Sequence, residues 1–338
     1  MTYHIAVPDE RVGMELDEFL CLQFPLLNKG FVRALIREGK VLIDGQSVNP
    51  GKHVKRGEVL FVDFDEAEAE ASAPVAPSQP LVVLYEDEHV LAVEKPAGIA
   101  AEPERWKRDA ASVAGGLLQL SLDRSEGEEG LEFRPRLLHR LDKDTSGVLL
   151  AAKTIEAERA LRDAFARGDG TIQKTYLAIV EGEYPLAEGE SDLIELPIAP
   201  DSRRTGLMQV DDRGKPARTE VRVRERFSGF SLLECRPLTG RTHQLRVHLS
   251  STGFPLVVDP LYGRRSGLML SEFKHNYRPK RGYSERPLLG RLALHAESIE
   301  FSSDPGAPEE RQRVDSAVPK DLTRVLKQLA KVRPPRRR

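Results

Sequence analysis

A stretch rich in alanine, proline and glutamate divides the chain unequally and limits what it can fold into. Residues 65–80 read DEAEAEASAPVAPSQP and lack apolar periodicity, which predicts an extended, semi-stiff linker. Before it, residues 1–64 are too few to bury much surface, so they suggest an appended binding unit. After it, residues 81–330 run without a comparable break. We therefore expect a small domain, a linker, one large domain, and a basic, disordered tail at 331–338.

Composition argues against several classes of protein. The longest apolar runs, 81–85 and 148–152, are far below the ~18 residues of a membrane helix. The first residues lack the basic start and apolar stretch of a signal peptide. Two cysteines, Cys21 and Cys235, lie far apart and in no metal-ligand spacing. We therefore expect a cytoplasmic protein with no membrane segment, no disulfide framework and no zinc site.

The charge of the chain is nearly balanced in total but uneven along its length. The formal net charge is −2, yet residues 1–80 carry a net −5. The basic surplus lies in three stretches, with +6 over 203–246, +6 over 264–291 and +7 over 320–338. Basic faces attract polyanions, although such stretches can also be ordinary solvated surfaces. Charge alone therefore leaves nucleic-acid binding open.

The small domain has the pattern of a strand, two helices and two strands. Apolar residues recur at helical spacing on both sides of Asn28, which we predict to cap the second helix. Gly39 is placed to end that helix, and Asp44 with Gly45 predicts a tight turn between strands. This predicts a small α+β domain.

The same domain resembles the S4-like RNA-binding domain. The resemblance rests on residues 13–20, GMELDEFL, in which Glu15 stands where that family usually has a basic residue. It implies an RNA-binding role for the basic stripe that includes Lys29 and Arg33.

Strands and helices are interspersed in the large domain. Residues 81–93 predict a hairpin, 147–152 a strand followed by a helix capped by Thr154, and 175–180 a further strand. Because strict alternation of strand and helix is missing, we expect a mixed α+β fold rather than a doubly wound parallel sheet.

The strongest chemical segment is residues 138–150, LHRLDKDTSGVLL. Here Asp142 lies in a polar loop just before a buried strand, where a nucleophile or general base would be held by a rigid element. Asp, Thr, Ser and Gly are also ordinary turn residues, so Asp142 could instead hydrogen-bond nearby amides.

A second segment, residues 240–249, reads GRTHQLRVHL and predicts a helix over 242–250. On that helix Arg246 would share a polar face with Thr242 and Ser250. His243 and His248 are five residues apart, which does not suit a shared zinc, so structural histidines are the alternative.

A third segment, 174–182, contains Tyr176, which could be a core residue or a ring that stacks on a base. The common nucleotide, hydride, zinc-hydrolase and serine-hydrolase motifs are missing from the sequence, so we expect no cofactor and no metal.

Together these segments resemble the RluA-type family of pseudouridine synthases. The motifs occur in the family's order over nearly all of the large domain, at 83–98, 139–147, 174–176, 240–249, 259–263 and 292–296. The resemblance implies a pseudouridine synthase fold, with a mixed, largely antiparallel sheet, flanking helices and a central catalytic cleft. One departure is Glu102, where the family often has histidine.

The resemblance also implies roles for individual residues. Asp142 would be the nucleophile, Arg246 its cationic partner, and Tyr176 a ring against the target uracil. Arg140 would help to occupy the space that a flipped nucleotide leaves. Further RNA contacts are implied for His139, Thr145, Arg241 and His243.

We therefore expect an RNA pseudouridine synthase that acts as a monomer on large-subunit ribosomal RNA. Transfer RNA as the substrate, or an RNA-binding protein without catalysis, are the alternatives. A more distant one is a hydrolase that uses Asp142 and Asp144 as a carboxylate pair.

Overall fold

The computed structural model describes residues 1–104, 110–125, 134–168, 170–274, 277–278, 284–302 and 310–335. None of the helices in these ranges is long and apolar enough to cross a membrane. The described elements are, in order, β1 (Thr2–Ala6), α1 (Leu16–Gln23), α2 (Lys29–Arg37), β2 (Val41–Ile43), β3 (Gln46–Ser47), β4 (Val59–Asp63), α3 (Glu66–Ser72), β5 (Val82–Glu86), β6 (Val90–Lys95), α4 (Val113–Arg124), β7 (Arg136–Leu137), β8 (Ser146–Ala152), α5 (Ile155–Arg167), β9 (Gln173–Glu181), β10 (Ser191–Glu195), β11 (Ile198–Pro200), β12 (Met208–Val210), β13 (Arg218–Phe227), β14 (Phe230–Pro237), α6 (Gln244–Ser251), β15 (Leu294–Phe301), β16 (Gln312–Asp315) and α7 (Lys320–Val332).

The chain divides into two units whose boundary differs from the one expected at residue 81. The first unit joins Met1–Leu81 to Ala100–Arg136, and the second joins Val82–Ile99 to Leu137–Arg338. The reason is the packing of α4 against the first segment. Ser112 donates its amide to the carbonyl of Val75 at 2.9 Å. The next helical turn approaches so closely that a Cβ on Gly115 would collide with that backbone.

The first unit has the predicted strand, two helices and two strands, and it adds one short strand, β3, between those two strands. Its sheet has the order β1-β4-β2-β3, and α1 and α2 contribute buried apolar residues to the same core. Asn28 caps α2 by accepting the amide of Phe31 at 2.9 Å. Gly39, with φ 74°, follows the end of α2, and Asp44 and Gly45, with φ 48° and 76°, form the turn between β2 and β3.

The expected linker over 65–80 is wrong for its first half, because Glu66–Ser72 forms α3. Asp65 caps this helix by accepting the amides of Ala67 and Glu68 at 2.8 and 3.1 Å. Alternating alanine and glutamate are strong helix formers, and a single small residue is enough to anchor the helix. Ala69 serves that purpose, since it is only 2% exposed in the core of the first unit.

The second unit is built on a mixed sheet with the strand order β10-β13-β14-β9-β15-β8-β6-β5. Within this path the β15–β8 pair is parallel and the other pairs are antiparallel, which confirms the expected largely antiparallel α+β fold. Gly147 lies in the parallel pair with φ 122°, where a Cβ would collide with the backbone of Ala296. The start of β8 is therefore held tightly in the middle of the sheet, directly after the loop that carries Asp142.

The C-terminal tail is shorter than expected. Residues 331 and 332, predicted to be disordered, complete α7, whose apolar side packs into the core of the second unit. A helix that buries one apolar face is ordered by that packing even where its other face is highly charged. The remaining tail residues 336–338 lie outside the described ranges.

Candidate active site

The loop before β8 presents Asp142 from a rigid base. Leu138 and Leu141 are buried on the core side, and Leu138 donates its amide to the carbonyl of Leu150 at 3.0 Å. Buried Thr145 donates its amide to the carbonyl of Asp142 at 3.0 Å. The Asp142 side chain remains 29% exposed. Buried residues on both sides of Asp142 therefore fix the backbone while the carboxylate faces the surface.

A buried lysine donates hydrogen bonds to the backbone of this loop and of its neighbouring segment. Lys95 has no exposed surface, and its Nζ donates to the carbonyls of Pro96, Ile99 and Lys143 at 2.9, 2.6 and 2.8 Å. These three acceptors match the three N–H donors of an ammonium group. Burial lowers the pKa of Lys95 to about 7, against the opposing charges of Asp144 and Asp142. Lys95 lies within the motif at 83–98, but the motif alone predicts no role for it.

A buried arginine joins Asp142 to a second carboxylate. Arg246 on α6 donates from Nη1 to Oδ2 of Asp142 at 2.9 Å. Its Nε and Nη2 form a two-point pair with Oδ2 and Oδ1 of Asp259 at 2.9 and 2.8 Å. The side chain of Arg246 is 8% exposed and that of Asp259 is 1% exposed. The structure thus brings Arg246 to Asp142 as predicted, and it adds Asp259, whose role the sequence analysis missed.

The charges of this cluster reinforce one another. Burial alone would lower the pKa of Arg246, but the hydrogen bonds and charges of Asp259 and Asp142 hold it above its ordinary value. Burial alone would raise the pKa of Asp259, but Arg246 and two backbone amides hold it below its ordinary value. Both groups are therefore ionised at neutral pH, and Asp142 faces a permanent cation.

A strained backbone presents Asp259. Val258 is fully buried with φ 60°, a left-handed conformation that a β-branched residue rarely adopts. Asp259 accepts the amides of Leu261 and Tyr262 at 3.0 and 3.1 Å. The ring of Tyr262 packs against the guanidinium of Arg246, and the distance between the ring centroid and Cζ of Arg246 is 5.0 Å. In the sequence, Asp259 is marked only by the motif at 259–263, which by itself predicts no role for this carboxylate.

His243, predicted to contact RNA, lies near the carboxylate of Asp142. It precedes α6, which begins at Gln244 rather than at Thr242, and its φ of 54° is left-handed. This corrects the predicted helical face, since Thr242 lies outside the helix. Nδ1 of His243 lies 2.8 Å from the hydroxyl of Tyr262, and Nε2 lies 3.9 Å from Oδ1 of Asp142. Burial lowers the pKa of His243, and Asp142 partly offsets this effect.

Tyr176 is half-buried on β9, where it pairs with Cys235 of β14 and Ala296 of β15. Burial raises the pKa of Tyr176, and the charge of Asp142 raises it further. The phenol is therefore neutral at physiological pH. The charge of Asp142 thus acts on this ring, and the contact of the ring with the target uracil stays a prediction.

Two of the residues predicted to bind RNA have structural contacts in this loop. His139 accepts the amide of Leu150 on Nε2 at 3.1 Å, and its ring lies 5.1 Å from that of Phe165. Burial lowers the pKa of His139 to about 3, with a further contribution from Lys174. Thr145 is 2% exposed. Both residues hold the loop in place, and their contacts with RNA stay predictions.

Arg140 and Arg241 lie nearer the surface. Arg140 is an exposed residue of the catalytic loop, and Arg241 donates from Nε to the carbonyl of Pro216 at 3.0 Å. The amide of Arg241 also donates to Gln244 at 3.0 Å, which fixes the approach to α6. Their RNA contacts also stay predictions.

The predicted basic stripe of α2 is paired with buried acids. Lys29 forms an ion pair with Glu18, and Nε of Arg33 lies 2.6 Å from Oδ2 of Asp17. Asp17 and Glu18 are 1% and 4% exposed, whereas both cations are partly exposed. The stripe is present as expected, but these two charges are locally neutralised.

Two other histidines have structural roles. His248 lies between the hydroxyl of Thr219 and the carbonyl of Leu196, both at 2.9 Å, as the structural alternative predicted. His295 lies in the same way between Ser146 and Ser316 at 3.0 and 3.1 Å. In the described ranges, no group of three or more His, Cys, Asp or Glu side chains is arranged to hold a metal ion.

Solved structures define the class of protein to which this fold belongs. The structure titled "Human RNA Pseudouridylate Synthase Domain Containing 1" is similar to 72% of this chain and 87% of that one, with a TM-score of 0.51 and 26% identity. "Human RNA Pseudouridylate Synthase Domain Containing 4" has a TM-score of 0.52 over 73% of this chain and 92% of that one, at 21% identity. The fold is that of the pseudouridylate synthases.

Sequence comparisons identify the family. Residues 89–251 match the model of the RNA pseudouridylate synthases, and residues 14–60 match the S4 domain. "Ribosomal large subunit pseudouridine synthase D" of Xanthomonas campestris pv. campestris is 36% identical over 96% of this chain and 91% of its own. "Ribosomal large subunit pseudouridine synthase C" of Escherichia coli is 32% identical over 97% of both chains. The chain therefore belongs to the RluA-type family of RNA pseudouridine synthases and carries an N-terminal S4 domain, as the motifs indicated.

Proposed function

We propose that this chain isomerises uridine to pseudouridine in large-subunit ribosomal RNA, with Asp142 as the nucleophile. The observation that carries the proposal is a part-exposed carboxylate held by a buried arginine, which is itself fixed by Asp259. The relatives named as ribosomal large subunit pseudouridine synthases support ribosomal RNA as the substrate. The S4 domain supports an RNA partner.

The reaction is an internal exchange of bonds. The N1–C1′ bond of uridine breaks, the uracil turns, and C5 bonds to C1′. The proton lost from C5 is balanced by the proton that N1 gains, so the reaction needs no redox step and no activated donor. The enzyme must supply a nucleophile, hold the detached base and move one proton.

Asp142 has to be ionised to act as a nucleophile, and desolvation by bound RNA opposes ionisation. Arg246 offsets that cost with a charge-assisted hydrogen bond to Oδ2. Because Oδ2 is occupied, Oδ1 is the oxygen placed to attack. Attack at C1′, attack at C6 and elimination at C2′ all use this arrangement.

Tyr176 would stack on the target uracil and then take part in proton transfer. Burial and the charge of Asp142 raise the pKa of Tyr176, so the phenol is a poor base in the free enzyme. When Asp142 forms a bond to the nucleotide, its charge disappears and the pKa of Tyr176 falls. The covalent step would thereby help the phenol to release its own proton to N1 of the uracil, and the resulting phenolate would accept the C5 proton.

Base access would involve the exposed part of the loop. The target nucleotide must leave its helix to reach Asp142, and Arg140 is placed on the same loop. We assign Arg140, Arg241 and His243 to the RNA-binding surface around the cleft, and we propose that His139 and Thr145 act on RNA binding through the position of this loop.

We also propose that the protein works as a cytoplasmic monomer. Cys21 and Cys235 are free and buried, which suits a reducing compartment. Gel filtration with light scattering on the full chain tests the oligomeric state, and a mass near that of a dimer would overturn this part of the proposal.

Replacing the nucleophile tests the function. We expect Asp142→Asn to lower pseudouridine formation by at least about a thousand-fold, because removing a covalent nucleophile has effects of that order or larger. RNA affinity should stay within about three-fold. Tritium release from C5-labelled, unmodified large-subunit ribosomal RNA measures turnover, and filter binding measures affinity. Ordinary turnover by the variant would overturn the assignment of Asp142.

Asp144→Asn is the matched control, because it changes an exposed carboxylate two residues away on the same loop. We expect nearly normal tritium release from this variant. A carboxylate-pair hydrolase would instead lose activity in both variants, and the wild type would liberate free uracil. Chromatography of the products therefore separates the two mechanisms.

A further inference from the structure

Helix α7 is anchored by one face and displays the other. Leu322, Val325 and Leu329 are at most 2% exposed and pack in the same core as Val257 and Val258, which precede Asp259. Burial of this apolar face fixes the helix against the second unit. Its outer face is therefore held in a defined orientation.

The outer face carries a stripe of cations. The stripe consists of four exposed residues spaced by four, three and four positions, which places them on one side of the helix. At 1.5 Å per residue it is about 16 Å long. We call it the α7 stripe, and its members are Lys320, Arg324, Lys327 and Lys331.

The charges of the α7 stripe are not neutralised within the part of the chain that the structure describes. None of its members forms an ion pair there with a carboxylate. The one acid of the helix, Asp321, instead holds Arg291 through two bonds of 2.6 and 2.9 Å. Elsewhere in the same unit, exposed Arg313 is paired with both Glu300 and Asp315. The members of the α7 stripe therefore differ from Arg313 in having no acid that offsets their charge.

Contacts through Arg291 connect the first turn of α7 to the catalytic loop. Arg291, held by Asp321, also lies 3.4 Å from the carbonyl oxygen of Asp144, two residues after Asp142. Lys320 immediately precedes Asp321. The stripe therefore begins beside the loop that carries the nucleophile and continues away from it along the helix.

We propose that the α7 stripe binds the phosphate backbone of the RNA strand that flanks the target uridine. This inference rests on the proposed function, and it assigns the α7 stripe to backbone contact rather than to base recognition. A row of cations about 16 Å long matches several successive phosphates, since charges recur about every 3.4 Å along one strand of a helix. Such contacts set the register of the RNA and carry no sequence information.

Neutralising the stripe tests the proposal in the full-length protein. The variant K320Q/R324Q/K327Q/K331Q should raise the KM for unmodified large-subunit ribosomal RNA and leave kcat nearly unchanged. The slope of log affinity against log salt should fall by about 3, because each phosphate contact contributes about 0.7–0.9. When the salt concentration rises from 50 to 200 mM, the RNA affinity of the wild type should therefore fall about 60-fold further than that of the variant.

Two further variants keep this test decisive. K320R/R324K/K327R/K331R retains every charge and should retain the slope. K52Q/R56Q/R162Q/R313Q removes the same charge from cations already paired with acids, so it should leave the slope nearly unchanged. An unchanged slope in the first variant, or an equal loss in the paired-cation variant, would overturn the proposal. If the wild type releases no tritium from this RNA, the proposed function fails instead.

Discussion

Two clusters in this molecule pair arginine with carboxylate in opposite ways. In the S4 domain the acids are buried and the cations are partly exposed. In one such pair the side chain of Asp17 is 1% exposed and that of Arg33 is 44% exposed. At the loop before β8 the cation is buried and the acid faces outward, with Arg246 at 8% and Asp142 at 29%. The accessible member is thus the cation in the S4 domain and the carboxylate in this loop.

Burial distinguishes Arg246 from the cations of the S4 domain and predicts different effects when each is replaced. A buried arginine loses hydration and gains strongly from two carboxylates, so it holds a fixed geometry. An exposed cation paired with a buried acid contributes little net field to solvent. The buried pair should therefore control turnover, and the exposed pair should have a small effect on RNA affinity.

The largest expected effect comes from removing the buried cation. Arg246→Met leaves Asp259 buried without a counterion, which should cost about 3–5 kcal/mol in the free energy of unfolding. Turnover should fall about a hundred-fold, since a charge-assisted hydrogen bond is worth about 1.5–3 kcal/mol and 1.4 kcal/mol is a factor of ten. Urea unfolding and single-turnover tritium release measure the two effects.

A double variant separates the structural and catalytic roles of Arg246. In Arg246→Met with Asp259→Asn the buried charge is gone, so much of the lost stability should return while turnover stays low. Arg236→Met, which removes an exposed arginine paired with Glu234, should change stability by no more than about 1 kcal/mol. Recovery of both stability and turnover in the double variant would show that Arg246 serves packing alone.

Asp259→Asn alone should have an intermediate effect. It keeps the shape of the site but removes the charge that fixes Arg246, so we expect turnover to fall about ten-fold with RNA affinity unchanged. The folded-state pKa of Asp259 lies below its ordinary value of about 4, so its stabilising contribution is present above that pH and is lost as the pH falls through the folded value.

The stability difference between wild type and Asp259→Asn should therefore be full at pH 7 and should shrink below about pH 4. Urea unfolding at several pH values measures it. A difference that stays constant down to pH 3 would show that the charge of Asp259 does not contribute.

Local patterns predicted much of this molecule. The cap at Asn28 and the turn at Asp44 with Gly45 depend on neighbouring residues alone, and both are confirmed. Asp142 and Arg246 were found through their motifs, and the structure brings them together. In each case the information lies within a short window of sequence.

The missed features depend on contacts that such windows do not contain. Lys95 binds backbone carbonyls, which have no sequence signature, and one of them belongs to residue 143. Asp259 binds Arg246 thirteen residues away in the sequence, and it follows Val258, whose left-handed φ of 60° a local apolar pattern does not predict. Helix α3 was read as a linker because alanine and glutamate give no apolar periodicity, although buried Ala69 is enough to dock it.

The smallest expected effect concerns the neutralised pair of the S4 domain. Asp17→Asn keeps an oxygen that can accept from Nε of Arg33, so the fold should be retained. It also leaves the charge of Arg33 unbalanced and partly exposed, so the salt slope of RNA binding should steepen by up to about 0.9. Asp17→Asn combined with Arg33→Gln should leave the slope close to that of the wild type, because it replaces one neutral pair by another. If the double variant instead lowers the slope by about 0.7–0.9, then Arg33 contacts a phosphate despite its partner. In that case exposure, rather than local neutrality, decides which cations of this chain bind RNA.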